Sequence, residues 1–205
     1  MIRIFGDSHA EFSFKNLKLP NNNYFCYSIT MFRIGRDNVI INFNKNIIKK
    51  NDIIVLSYGE VDCRCHINKQ INLGINEDDI INQLVNKYIT TIKNNTINLD
   101  VKIIIVGVIP PTKKSNYEIE NGKMPNNFPF PFLGSDQDRV RYTNKVNKLL
   151  EELSVNNNYI YFNPYSYYTT DDGTLKYEFS DKNVHLKENS YFLEKFTELY
   201  KSIQF

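Results

Sequence analysis

A chain of 205 residues with 41% hydrophobic and 23% charged side chains has the composition of one ordinary soluble α/β domain and is too short for two comfortable ones. Its net charge of +2 gives no basis for a nucleic-acid partner, and no apolar run approaches the roughly 20 residues of a membrane-spanning helix. The three cysteines cannot all pair and two of them share one motif, which argues against a disulfide framework and for a reducing, cytoplasmic setting.

Ile2, Ile4 and Phe5 form a short apolar strand that runs into Gly6-Asp7-Ser8-His9, leaving Asp7 and Ser8 at its carboxyl end. That placement also implies no secretory leader. Residues 10–23, with Pro20 and a run of asparagines, read as a surface loop. Tyr24 to Phe32 is aromatic and β-branched and is broken by Arg33-Ile34-Gly35-Arg36, after which Val39 to Phe43 reads as a strand. Ile53-Ile54-Val55-Leu56 suits a central parallel strand, and delivers Gly59-Glu60-Val61-Asp62-Cys63-Arg64-Cys65-His66. Ile80, Ile81, Leu84, Val85, Tyr88, Ile89 and Ile92 recur at helical spacing behind an Asn76 N-cap. Val101 to Ile109 is a third buried strand, closed by Pro110-Pro111. Residues 112–134, rich in Pro and Phe, lack periodicity and read as a long insertion loop. Ser135 and Asp138 fit a capping box for a helix with Val140, Val146, Leu149, Leu150 and Leu153 inward. Tyr159 to Phe162 is the last central strand, Asp171-Asp172-Gly173 a turn, and Tyr191, Phe192, Phe196, Leu199, Tyr200 and Ile203 the stripe of a terminal helix. Strands alternating with helices predict a mostly parallel sheet between helix layers, with ligands at the strand carboxyl ends, where all the polar motifs fall.

A serine hydroxyl becomes a nucleophile only when a base takes its proton and donors hold the oxyanion that forms. His185, in Ser180-Asp181-Lys182-Asn183-Val184-His185, can be that base, and Asp181 can hold the imidazole in the required tautomer. The bland reading of the same residues makes Ser8 a helix cap and His185 a surface loop residue.

Gly6-Asp7-Ser8-His9 at the end of a first strand, with the late Asp181/His185 block, resembles the SGNH/GDSL hydrolase family over nearly the whole chain. The resemblance implies a flavodoxin-like three-layer α/β/α sandwich on a mostly parallel five-stranded sheet. It assigns Ser8 as nucleophile, His185 as general base and Asp181 as its partner, with the amides of Ser8 and Gly35 in the oxyanion hole. The third motif departs from the family: Gly-x-Asn-Asp becomes Gly59-Glu60-Val61-Asp62, and valine cannot donate. Arg64 and His66 are candidates to compensate, and Glu60 with Arg64 either binds a polar substrate or forms a buried ion pair that fixes the loop. The last motif departs as well, because Asp181 and His185 are four positions apart where the family has three. The loop must bulge, and Asn183 or Asp172 are alternatives for orienting the base.

Asp7 and His9 adjoin the nucleophile and join Glu60, Asp62, Arg64 and His66 as residues expected to shape the site or touch substrate. Cys63, Cys65, Asp62 and His66 lack the paired spacing of a zinc site, so no metal or other cofactor is expected. Arg33 and Arg36 read as exposed arginines or as contacts to an anionic or sugar substrate, and Tyr165, Tyr167 and Tyr168 as core or as a stacking wall. The Phe128 to Phe132 loop either covers the site or packs on another copy in a homo-oligomer. The expected activity is that of an esterase or O-acyltransferase handling a small acyl ester, acetyl on a carbohydrate being the natural guess from the family. The alternative is a binding or assembly module that kept the fold and lost catalysis.

Overall fold

Five parallel strands stand in the order β2-β1-β3-β4-β5 in the computed structural model, which describes residues 1–125 and 127–203. They are β1 (Ile2–Gly6), β2 (Asn21–Phe25), β3 (Ile53–Ser57), β4 (Lys102–Val106) and β5 (Ile160–Phe162). Ile4 pairs with Val55, Val55 with Ile104, and Ile104 with Ile160, so the central strands run in step. The chain leaves β1 for β2 on one side and returns to β3 on the other. That reversal puts the crevice of a doubly wound sheet at the carboxyl end of β1, where Ser8 lies.

Successive strand residues point to opposite faces and split the core in two. Phe5, Ile54, Leu56, Ile103 and Ile105 pack under α2 (Met31–Asp37), α4 (Glu77–Thr96) and α6 (Asp136–Asn156), joined by Ile67 at the head of α3 (Ile67–Ile71). Ile2, Ile4, Ile53, Val55, Ile104 and Val106 pack under α1 (Ser8–Phe14) and α7 (Ser190–Ser202), where Phe14 meets Phe192 and Phe196 edge-on. The three-layer α/β/α architecture read from the sequence is therefore the one observed. At the amino end of the sheet Arg3 is buried against Asp52, Nε to Oδ2 2.6 Å. No helix among the described residues is long and apolar enough to cross a membrane.

Sequence reading placed the capped helices correctly. Asn76 Oδ1 accepts from the amides of Asp78 and Asp79, and Ser135 and Asp138 form a full capping box on α6. Four local readings are corrected. Residues 10–23 are not loop throughout, because His9, Ala10, Ser13 and Phe14 line the buried face of α1 and Asn21–Phe25 is an edge strand. Val39 to Phe43 is not a strand; it buries Ile40 and turns at Asn42, whose φ is 64°. The stretch 112–134 contains α5 (Lys114–Asn121), whose one buried side chain is Tyr117, too little apolar patterning to register. Tyr159 to Phe162 contributes an edge strand, paired with β4 alone. Asn126, within the same insertion, lies outside the described residues.

Candidate active site

Gly6 ends β1 where the chain must turn at once into a helix. A Cβ there would stand 2.9 Å from the Ser57 carbonyl oxygen and collide with Ala10, so only glycine fits. Asp7 is the N-cap of α1, extended at φ −94°, ψ −162°, with a carboxylate oxygen accepting from the His9 amide at 2.9 Å. Burial raises the Asp7 carboxyl above its ordinary range. Ser8 is then the first helical residue, and its N–H belongs to the first-turn donors that have no acceptor within the helix.

The opposite end of the chain meets it. His185 Nε2 lies 2.9 Å from Ser8 Oγ, and His185 Nδ1 lies 2.8 Å from Asp181 Oδ2. The other Asp181 oxygen accepts from the amides of Asn183, 2.8 Å, and His185, 3.0 Å. Burial would raise the Asp181 carboxyl, but its bonds to His185 hold it below the usual range, so it is ionised. With Asp181 accepting at Nδ1–H, the Nε2 lone pair faces the serine hydroxyl. The extra residue between Asp181 and His185 is absorbed by Lys182, whose φ of 67° reverses the chain while the Asp181 amide bonds the His185 carbonyl at 2.9 Å. Neither proposed alternative orients the base. Asn183 contributes its backbone amide to Asp181, and the Asp172 carboxylate is taken up by Lys113, Thr170 and Thr174.

The third motif turns out to be wired to the first. Gly59 sits at φ 121° between Val108 and Met31, and the chain enters a helical stretch whose segment Asp62–His66 is a π-helical turn continuing into α3. Such turns widen the helix and are frequent at functional sites. Glu60 is buried, takes His9 Nε2 at 2.9 Å and Arg64 Nε at 2.9 and 3.1 Å. Burial would raise the Glu60 carboxyl, but Arg64 and His9 bring it down to about 2. Burial would likewise lower His9, and Glu60 overcomes this and raises it. Arg64 also donates to the Phe130 carbonyl, 2.7 Å, and lies over the Phe132 ring. Of the two readings of Glu60 and Arg64, the buried ion pair is the one present. Asp62 is fully buried and caps α2, accepting from the amides of Met31, 2.8 Å, and Phe32, 3.2 Å. His66 Nδ1 lies 3.1 Å from the same carboxylate, which raises the imidazole to about 10. Val61 is buried and offers no donor.

Gly35 is a correction. It lies inside α2, where a Cβ would stand 2.9 Å from Lys87 Cβ and 3.3 Å from the Tyr88 amide of α4. An amide in the interior of a helix serves the helical ladder, and this glycine lets two helices approach instead of holding an oxyanion. Arg33 and Arg36 pair with Asp37 at the surface. Cys63 and Cys65 are buried packing residues, and burial pushes the Cys63 thiol up. Among the described residues no three His, Cys, Asp or Glu side chains gather as metal ligands. Tyr165 and Tyr168 belong to the core, and Tyr167 stacks on Tyr191 at 4.1 Å.

Two contributors escaped sequence reading. Phe12, one helical turn after Ser8, stacks flat on His185 with centroids 4.3 Å apart and planes 9° apart, an i,i+4 relation hidden while residues 10–23 read as loop. The Pro/Phe-rich insertion buttresses both motifs: Tyr117 and Phe132 pack on Val184, Asn121 donates to the Lys182 carbonyl at 2.7 Å, and the Leu133 amide bonds the Arg64 carbonyl at 3.0 Å.

The fold is that of SGNH/GDSL hydrolases. A Streptococcus pneumonia structure carrying a platelet activating factor designation superposes with a TM-score of 0.67 at 17% identity, over 97% of this chain and 82% of that one. A GDSL-like lipase from Bacteroides thetaiotaomicron gives 0.58 at 14% identity, over 98% and 87%. An aryl esterase of M. smegmatis gives 0.55 at 13% identity, over 98% of both chains. No protein-family model matches the chain, and no curated protein matches it significantly.

Proposed function

We propose that the protein is a serine esterase of the SGNH/GDSL kind, acting on a small acyl ester through an acyl-enzyme on Ser8. The observation that carries this reading is the unbroken series Asp181 Oδ2, His185 Nδ1, His185 Nε2, Ser8 Oγ, with links of 2.8 and 2.9 Å. His185 Nε2 takes the hydroxyl proton as Ser8 Oγ bonds the ester carbonyl carbon, and the carbonyl electron pair moves to oxygen. The Ser8 amide at the α1 N-terminus is the donor available to that oxyanion. Collapse restores the carbonyl, breaks the bond to the alcohol and returns the proton from His185 to the leaving oxygen. Water, or a sugar hydroxyl in a transfer reaction, repeats the sequence on the acyl-enzyme. The steps require no metal or organic cofactor, and free thiols at Cys26, Cys63 and Cys65 suit a reducing cytoplasm.

Val61 in place of a side-chain amide removes a donor worth about 2.7–4 kcal/mol elsewhere, so turnover is expected to be slow for this class. The same residue favours the second reading, a binding or assembly module without catalysis. A serine-directed fluorophosphonate separates the two. Covalent labelling of the wild type and none of Ser8→Ala supports the esterase, whereas an unlabelled, folded wild type supports the module.

A further inference from the structure

His9, next to the serine in the first motif, and Glu60 and Arg64 of the third motif are not used by the proposed chemistry, yet they touch each other. His9 Nε2 meets Glu60 at 2.9 Å, and Glu60 is held in turn by Arg64 Nε. All three side chains are more than nine-tenths buried. The His9 ring centroid is 4.7 Å from that of His185, planes tilted by 43°. Phe12 stacks on the same His185 ring at 4.3 Å. Residues 9 and 12 therefore grip the imidazole from one helix. Loss of either contact leaves the imidazole to the other ring and to its hydrogen bonds with Asp181 and Ser8. Among the described residues the second His9 nitrogen, Nδ1, is buried without a protein partner, as are Asp7 Oδ2 and Tyr58 Oη, and all three residues line one cavity of about 10 Å³, the room that a single water molecule needs. His9 is thus fixed on the Glu60 side and offered a bridge on the other.

We propose that His9, anchored by Glu60 and Arg64, is a positioning residue for the general base, gripping His185 together with Phe12. This rests on the esterase reading. In the geometry two residues 51 positions apart in sequence become one device. The histidine presses on the base, the glutamate fixes the histidine, and the arginine fixes the glutamate and ties it to the Phe130 carbonyl of the insertion. An imidazole preset in this way loses less freedom on reaching the transition state, so the effect belongs to the chemical step and not to substrate binding.

The test measures fluorophosphonate labelling as a saturation curve, together with the histidine ring signals in a two-dimensional NMR spectrum. The proteins are the wild type, His9→Gln, Glu60→Gln and Phe12→Leu. Expected is a 10- to 100-fold fall in the maximal labelling rate for His9→Gln and Glu60→Gln, a several-fold fall for Phe12→Leu, and an unchanged half-saturating probe concentration. The His185 ring signals should shift and broaden in all three. Phe12→Leu, at a half-exposed position, keeps the question answerable where Glu60→Gln strands Arg64 and fails to fold. Unchanged labelling and unchanged His185 signals in folded His9→Gln overturn the proposal. A wild type that does not label, while its His185 signals still respond to His9→Gln, keeps the positioning role and removes the esterase.

Discussion

Two aspartate–histidine pairs of identical spacing occupy this molecule. Asp62 and His66 meet through Nδ1 at 3.1 Å, and Asp181 and His185 through Nδ1 at 2.8 Å. The first pair is spaced by a helix, whose repeat brings residues four apart together as a matter of course. The second is made by a loop that reverses at Lys182. Their acids differ more. Asp62 is fully buried and also holds two amides of α2, so it anchors one element to another. Asp181 spends its second oxygen on its own loop. Their histidines differ most: His185 presents Nε2 to a serine hydroxyl, whereas His66 lies edge-on to Phe32 and Phe130. An acid at Nδ1 is common to both. What distinguishes the second pair is the serine hydroxyl in front of Nε2.

The contrast breaks most completely at the serine. Ser8→Ala is expected to lower kcat for p-nitrophenyl acetate by about 10⁴-fold or more, while His66→Gln leaves kcat within a few-fold of wild type. Next comes the exchange of acids. Asp181→Asn should cost about 10³–10⁴-fold in kcat with an unchanged melting temperature, because the imidazole then loses its tautomer and not its fold. Asp62→Ala should do the reverse, losing about 2–4 kcal/mol of unfolding free energy in urea melts, with kcat per folded molecule nearly kept. A large kcat loss in Asp62→Ala at full folding would erase the distinction drawn between the two pairs.

A smaller effect concerns pH. His66 is raised from 6.5 to about 10 by Asp62, so its contribution to stability is complete below pH 6.5 and is lost as pH rises through about 10. With the side chain 30% exposed, solvent screening leaves about 1–2 kcal/mol of this. Urea midpoints at pH 6 and pH 10.5 should therefore converge between wild type and His66→Gln at the higher pH. Smallest of all, Gly35→Ala should shift stability by no more than about 1–2 kcal/mol, with contact against Lys87 set against better helix propensity, and should leave kcat alone. A Gly35→Ala enzyme that folds but has lost turnover would return that residue to the oxyanion hole.

The sheet was legible wherever burial on both faces made a continuous apolar run, as at Ile53 to Leu56, and the long helices wherever a cap preceded a periodic stripe, as at Asn76 and Ser135. The edges were not. β2 offers Asn21-Asn22-Asn23, residues of low strand propensity that an edge tolerates because one side faces solvent. The sequence motifs also pointed to Ser8, Asp181 and His185 together, because each is chemically distinctive. Gly35 misled because a glycine in a helix that lets two backbones approach looks, in one dimension, like a glycine that frees an amide. The link from His9 to Glu60 could not be read at all: it joins a helix start to the end of another strand, and only the sheet order brings those ends side by side.

Ser8 and His185 are 177 positions apart, and the helix that follows the base closes over the helix that starts at the nucleophile through Phe14, Phe192 and Phe196. On the proposed reading Ser8 acquires its base only when these two distant segments have docked, a contact of the non-local kind that costs most loop-closure entropy. Ester hydrolysis followed during refolding is then expected to report the docking of α7 on α1.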